Sequence, residues 1–219
     1  MPIPALHLHD LVVTRGGQAL SPPLTIDLPA GALVALVGPS GCGKSSLLAT
    51  LAGSLPAPVG TVVRSVPAAP GSVGLVHQDH HLVPRASLLD NVCCGDLHRL
   101  PAWRTILGFP PDTRRRARAL LEDLGLGHLE RRWATDVSGG ERARTALARV
   151  LLQAPSLLLA DEPVASLDAA TAARAMGLLA ARAAAGALVI CALHQPELVA
   201  RHATHVLDAG DGWTLRSCR

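Results

Sequence analysis

"ALVALVGPSGCGKSSLLATLAG", residues 32–53, runs from an apolar stretch through a glycine-rich turn into a helical pattern. An unbroken apolar run of strand length is what a strand buried on both faces requires. The turn, Gly38 to Ser45, matches G-x-x-x-x-G-K-[ST] in the strand-before, helix-after setting that gives this motif meaning. Backbone N–H groups of such a loop wrap a phosphate at the positive end of the helix that follows. In this reading Gly38, Pro39, Ser40, Gly41, Cys42, Gly43, Lys44, Ser45 and Ser46 bind a nucleotide's phosphates. Lys44 reaches the β and γ phosphates and Ser45 ligates magnesium. Among the 20 basic residues Lys44 is the single lysine, which sets it apart from the arginines used everywhere else.

Two further apolar runs end in residues of the same chemistry. "SLLLADEP", residues 156–163, delivers Asp161 and Glu162, and "ALVICAL", residues 187–193, delivers His194. Short buried strands followed by helices predict an α/β fold, a phosphate-loop core around a parallel sheet, with ligands at the carboxyl ends of the strands. Asp161 then holds magnesium and Glu162 acts as general base on the attacking water, with His194 at the same sheet edge. Gln78, after the apolar run "GLV", can offer its amide to metal or water. The whole chain, 1–219, reads as one domain: 1–78 and 154–219 form the core, and 79–153 form a mainly helical subdomain. The first 30 residues and "GTVVRSVPAAPGSVGLV", residues 60–76, read as shorter strands at an antiparallel edge.

Bulk composition excludes several classes. The mean hydropathy of +0.31 is high, yet the longest apolar stretch, residues 183–193, is too short to span a bilayer. The opening "MPIPALHLHD" lacks the basic start and apolar run of a signal peptide, so the expected location is cytoplasmic. Five scattered cysteines, an odd number without finger spacing, point to reduced thiols rather than disulfides or zinc. Cys42, among the loop amides, reads either as an activated thiol or as an inert small residue. A net charge of +3 and 2% aromatics give no reason to expect nucleic acid. The run Arg114, Arg115, Arg116 and Arg118 lies opposite Ala117, Leu120, Leu121 and Leu124, and so reads as the solvated face of an amphipathic helix or as a phosphate patch.

"VSGGERARTALARV", residues 137–150, opens a helix on two glycines. Ser138 and Glu141 spell a capping box. Neither explains Gly139 and Gly140, which lower helix propensity and leave the free N–H groups open to a bulky anion. Since the chain already carries one phosphate loop, the second anion site fits a nucleotide held by a second copy.

Taken together and in this order, "GPSGCGKSS", Gln78, "VSGGER", "LLLADEP", "SLD" at Ser166 to Asp168, and His194 resemble an ABC transporter ATPase subunit over essentially the whole chain. The resemblance implies ATP and Mg2+ as ligands and a head-to-tail homodimer in which Ser138, Gly139 and Gly140 cover the partner's ATP. It also implies Asp168 at the nucleotide, integral membrane permease subunits, a solute-binding protein acting through them, and a peripheral position on the inner face of the cell membrane. A narrower resemblance, to the ATP-binding subunit of phosphonate importers, runs through "PAWRTILGF", "DEPVASLD" and "LHQPELVARHA". It implies contact of the region after Gln78 with the permease, so Trp103 and Phe109 either line that contact or pack in the core. Other transporter classes, such as lipoprotein release, share "SGGER" and "LLLADEP", and ABC proteins without transport function are a further alternative. Three features depart from the pattern. Arg15 stands near the place of the usual adenine-stacking ring, Glu141 replaces a commoner glutamine and is expected to point away from ATP, and the segment from Lys44 to Gln78 is short.

Overall fold

The computed structural model describes residues 5–65, 69–77, 79–101, 108–165 and 167–218. In chain order the strands are β1 (Leu6–Leu11), β2 (Thr14–Arg15), β3 (Gln18–Ala19), β4 (Leu24–Leu28), β5 (Leu33–Val37), β6 (Thr61–Arg64), β7 (Val73–Val76), β8 (Leu157–Asp161), β9 (Leu188–Ala192), β10 (His205–Asp208) and β11 (Thr214–Ser217). The α-helices are α1 (Lys44–Ala52), α2 (Leu88–Cys93), α3 (Pro111–Asp123), α4 (Gly139–Gln153), α5 (Ala169–Ala184) and α6 (Pro196–His202).

The main sheet runs β11-β10-β5-β9-β8-β7 and is parallel except for β11. Its central strands are covered on both faces, which is why they read as continuous apolar runs. Alternate residues of β5 divide between two cores. Val34 and Leu36 join Leu47, Leu48 and Leu51 of α1 and the leucines of β1 and β4. Leu33 and Ala35 join Leu147 and Leu151 of α4 and Met176 and Leu179 of α5. The α/β reading of residues 32–53, 156–163 and 187–194 therefore holds.

One expectation is corrected. Residues 60–76 do not stay together at an antiparallel edge. β6 joins β1 and β4 in a separate antiparallel sheet, whereas β7 lies parallel to β8 at the end of the main sheet. In that place β7 is packed closely: a Cβ on Gly74 would sit 2.8 Å from Val150 and Pro155, so α4 and the turn after it press directly onto the strand. The β10–β11 hairpin, which the sequence reading did not single out, closes the opposite edge.

Between β7 and β8 the described secondary structure is helical, and it shares one apolar core with the sheet through α4. The arginine run lies on α3 with Ala117 and Leu121 buried beneath it. Its guanidiniums are engaged with acids: Arg114 with Asp90 at 3.1 Å, Arg115 with Asp112 at 2.8 Å, Arg116 with Asp96, and Arg118 with Glu130 at 2.7 Å. That is the solvated-face alternative, with α3 tied to α2 and to the loop before α4. All five cysteines are free, and burial pushes the thiols of Cys93 and Cys191 up to about 12, which keeps them protonated.

α4 is held by a close approach as well as by apolar burial. Gly95, in the 3-10 turn Cys94–Arg99, has room for no side chain, because a Cβ there would fall 2.1 Å from the Arg149 carbonyl oxygen. Gly95→Ala is expected to destabilise the protein by about 1–3 kcal/mol through overpacking, read as a lowered urea midpoint with an unchanged slope.

Candidate functional site

Strand register brings the site together. Ala192 pairs with both Leu36 and Asp161, and Val76 pairs with Ala160. The residues that follow these positions, Gly38, Glu162, His194 and His77, therefore leave the sheet at one level along its carboxyl edge. β5 lies between β9 and β10, so the chain departs on both sides of it and leaves a crevice there.

In the phosphate loop, Gly38, Gly41 and Gly43 have φ of 138, 82 and 106°, conformations that side chains other than glycine rarely adopt. Gly41 faces open space, whereas a Cβ on Gly43 would press within 3.2 Å of Leu20. Gly43 is the N-cap of α1, and Lys44 starts the helix. The Lys44 side chain is buried and folds back, its ammonium donating to the carbonyls of Gly38 at 2.8 Å and Pro39 at 3.0 Å. A cleft of about 120 Å³ opens above it, lined by Arg15, Leu20, Ser40, Gly41, Gly43, Lys44, Ser45, Ser46 and Glu162. The loop thus presents an ammonium, a serine hydroxyl and glycine backbone without side chains in the way, a donor set that fits a polyphosphate.

Glu162 follows β8 with φ of 49°, in the left-handed region. Such strain costs a non-glycine residue of order 1–3 kcal/mol and persists where surrounding structure enforces it. The His194 Nε2–H donates to Glu162 Oε1 at 2.8 Å, with both side chains partly open to solvent. Glu162 and His194, read separately in the sequence, thus form a pair. Asp161 shares a second cleft, of about 440 Å³, with Ser45, Ser46, His77, Asp79 and Arg15. Ser45 and Asp161 are thereby brought together as the oxygen donors a hard divalent cation takes.

A third cleft, of about 320 Å³, lies against the two carboxylates and is walled by Val76, His77, His80, Ala143, Asp161, Glu162, Pro163 and Ala165. Sequence reasoning missed this histidine wall. Its signal, "HQDHH", is local, but only the fold turns His77 and His80 toward Asp161. Burial chiefly, and then His81, hold the His77 imidazole below its ordinary range; burial also lowers His80. The wall is therefore neutral at neutral pH.

At the start of α4 the capping box is complete. Ser138 Oγ accepts from the Glu141 N–H at 3.3 Å, and Glu141 Oε2 accepts from the Ser138 N–H at 2.7 Å and its hydroxyl at 2.9 Å. A Cβ on Gly139 would meet nothing closer than the Arg142 guanidinium at 3.9 Å. Ser138, Gly139 and Gly140 are not among the residues lining the three clefts around Lys44, Asp161 and Glu162. Asp168 is likewise apart from them, as the N-cap of α5, accepting from the Thr171 N–H at 3.0 Å. Arg15 stands at the mouth of the loop on the β2–β3 hairpin, whose turn is made by Gly16 and Gly17. Phe109 is half-buried and packs against the core shared by α2 to α5. Gln78, Trp103 and Ser166 lie outside the described residues.

The family description "ABC transporter" matches residues 22–165, well over half the chain and inclusive of the loop, the α4 tip and the carboxylates. The chain belongs to the ABC transporter family. It is an ATP-hydrolysing member of that family. It is 39% identical over 224 residues to a phosphonates import ATP-binding protein, PhnC, of Hyphomonas neptunium, covering 97% of this chain and 85% of that one. To PhnC 1 of Natronomonas pharaonis it is 41% identical over 210 residues, with 94% and 90% covered. Among solved structures, an inward-facing metal-chelate type ABC transporter aligns with a TM-score of 0.80 at 28% identity, covering 99% of this chain and 84% of that one. The ATP-binding cassette MJ0796, in a dimeric post-hydrolysis state bound to ADP and Pi, aligns with a TM-score of 0.82 at 22% identity, 98% and 99% being covered, a likeness of fold.

In this ABC ATPase the N–H and hydroxyl of Ser138 hold the Glu141 carboxyl below the usual glutamate range. A depressed folded value means the stabilisation is fully present above the ordinary glutamate range and is lost as pH falls through the folded value. Ser138→Ala is expected to cost about 1 kcal/mol at neutral pH, as N-cap removals do. The stability gap between wild type and Glu141→Ala is expected to be present at neutral pH and to close in acid, as measured by urea midpoints at both pH values.

Proposed function

We propose that this chain is the ATPase subunit that energises import of a phosphonate or a related small oxyanion across the inner membrane. The observation that carries the solute class is the identity of 39% and 41% to phosphonate import subunits, each over more than nine-tenths of this chain. The chain works from the cytoplasmic face, docked on integral membrane permease subunits that receive solute from a solute-binding protein. None of the described helices is long and apolar enough to cross a membrane, in keeping with a peripheral position.

ATP enters with its phosphates on the Gly38–Ser46 loop, and Lys44 exchanges the Gly38 and Pro39 carbonyls for phosphate oxygens. Ser45 and Asp161, with Gln78 from the sequence pattern, would hold magnesium, which would supply charge neutralisation at those oxygens. Glu162 accepts a proton from the attacking water as its oxygen bonds to the γ phosphorus and the bond to the bridging oxygen of ADP breaks. His194 keeps the Glu162 carboxylate aimed through its 2.8 Å hydrogen bond. The second anion contact comes from another copy, through its Ser138, Gly139 and Gly140. Supporting this is the open space at Gly139, where neither backbone strain nor packing within the chain calls for glycine. Arg15 lies over the loop mouth, where its guanidinium can stack on the base.

Two measurements test this. Glu162→Gln is expected to lower ATP turnover by roughly 10²–10⁴-fold, as loss of a general base does. It should also accumulate an ATP-dependent dimer, seen by light scattering; a monomer at saturating MgATP overturns the shared-site reading. Reconstituted with its permease and receptor, the complex should be stimulated by receptor loaded with methylphosphonate. Stimulation by a ferric chelate alone would reassign the solute.

A further inference from the structure

Arg149, in the C-terminal half of α4, reaches the loop that follows β7. Its guanidinium fork donates to two successive backbone carbonyls, His81 at 2.8 Å and His80 at 2.8 Å. Both histidines have left-handed backbone, φ 61° at His80 and 45° at His81, and the loop doubles on itself through His80 N–H to His77 carbonyl and His81 N–H to Asp79 carbonyl. Left-handed conformations at two adjacent non-glycine residues are disfavoured, so something outside the loop must enforce them. A planar fork that meets both carbonyls at once is suited to that task in a way that a single-point donor is not.

The consequence lies on the far side of the loop. The strained turn carries the His80 ring into the cleft wall facing Asp161 and Glu162, next to His77. It also brings the His77 and His81 rings together, their centroids 4.4 Å apart and their planes tilted by 43°. Arg149 itself is fixed, because its carbonyl abuts Gly95 and the Gln153 amide, one turn further on, donates to the carbonyls of Gly71 at 3.1 Å and Val73 at 2.8 Å at the start of β7.

We infer that Arg149 is a positioning residue for ATP hydrolysis. Its fork locks residues 79–81 in the geometry that places the histidine wall against Asp161 and Glu162, and so ties that wall to the helix bearing the Ser138–Gly140 tip. This rests on Glu162 and the phosphate loop being the hydrolytic site.

Arg149→Met keeps the aliphatic stem and removes both hydrogen bonds, whereas Arg149→Lys keeps charge and length but not the fork. In the full chain, Arg149→Met is expected to lower kcat by about 10–100-fold, the scale of an ångström-level misplacement, with the KM for ATP within about twofold. Arg149→Lys is expected to fall between Met and wild type. Amide exchange of residues 79–83 should accelerate in both variants while that of β5 and α1 is unchanged. A folded Arg149→Met with wild-type kcat, or a KM that rises in step with the loss of kcat, overturns the inference. If Arg149→Met does not fold, Arg149→Lys decides: wild-type kcat and wild-type exchange at 79–83 overturn it. Glu162→Gln is assayed alongside, and undiminished turnover there overturns the site reading and this inference together. Loss in Glu162→Gln without loss in Arg149→Met removes the inference alone.

Discussion

The parallel register of β7, β8, β9 and β5 is the constraint on which the site depends. Because Ala192 pairs with both Leu36 and Asp161, three strands end level, and the next one or two residues of each are those proposed to act on ATP. A slip of one residue in any strand would turn its inward-facing side chains to the opposite core and move its terminal residue off the edge. Apolar burial on both faces prevents that slip. Leu33 and Val34, or Leu158 and Leu159, belong to different cores and cannot exchange places without leaving both mispacked. The geometry of the proposed site is thus a by-product of two cores agreeing on one register.

Rigid strand ends allow unfavourable backbone beyond them. Glu162 keeps a left-handed conformation because Asp161 before it is in the β8–β9 ladder and Ala165 after it closes a turn onto the Glu162 carbonyl at 3.2 Å. His194 meets the resulting carboxylate position because β9 ends at the same height. The loop after β7 follows the same logic with a different support, since its left-handed residues are held by an arginine from α4 rather than by a ladder.

What could be read from the sequence was whatever chemistry is written locally. The loop from Gly38 to Ser46, the carboxylates after "SLLLA", His194 and the Ser138–Glu141 cap each sit within a few residues of the pattern that explains them. Pairings decided at a distance could not be read so. β7 is four residues long and contains Gly74, so nothing in it tells a parallel partner from an antiparallel one; the pairing with β8 is made in the fold, where Val150 and Pro155 pack against Gly74. The salt bridges of Arg114, Arg116 and Arg118, the joining of Glu162 to His194 and the histidine wall needed the fold, since each brings together residues of different elements.

The tip of α4 shows how the half-site proposed above can be stable by itself. A helix N-terminus with two glycines leaves several N–H groups without partners and a positive dipole end facing solvent. Glu141 answers both problems in the single chain: its carboxylate accepts from the Ser138 N–H and hydroxyl, and its charge lies against the dipole. A glutamine in its place would make the hydrogen bonds without the charge. Because both contacts draw the carboxylate back onto the cap, the negative charge is turned toward Ser138, and the face at Gly139 stays clear. The tip is therefore satisfied enough to persist in an isolated protomer and bare enough to accept a larger anion, the two properties a borrowed half-site must combine.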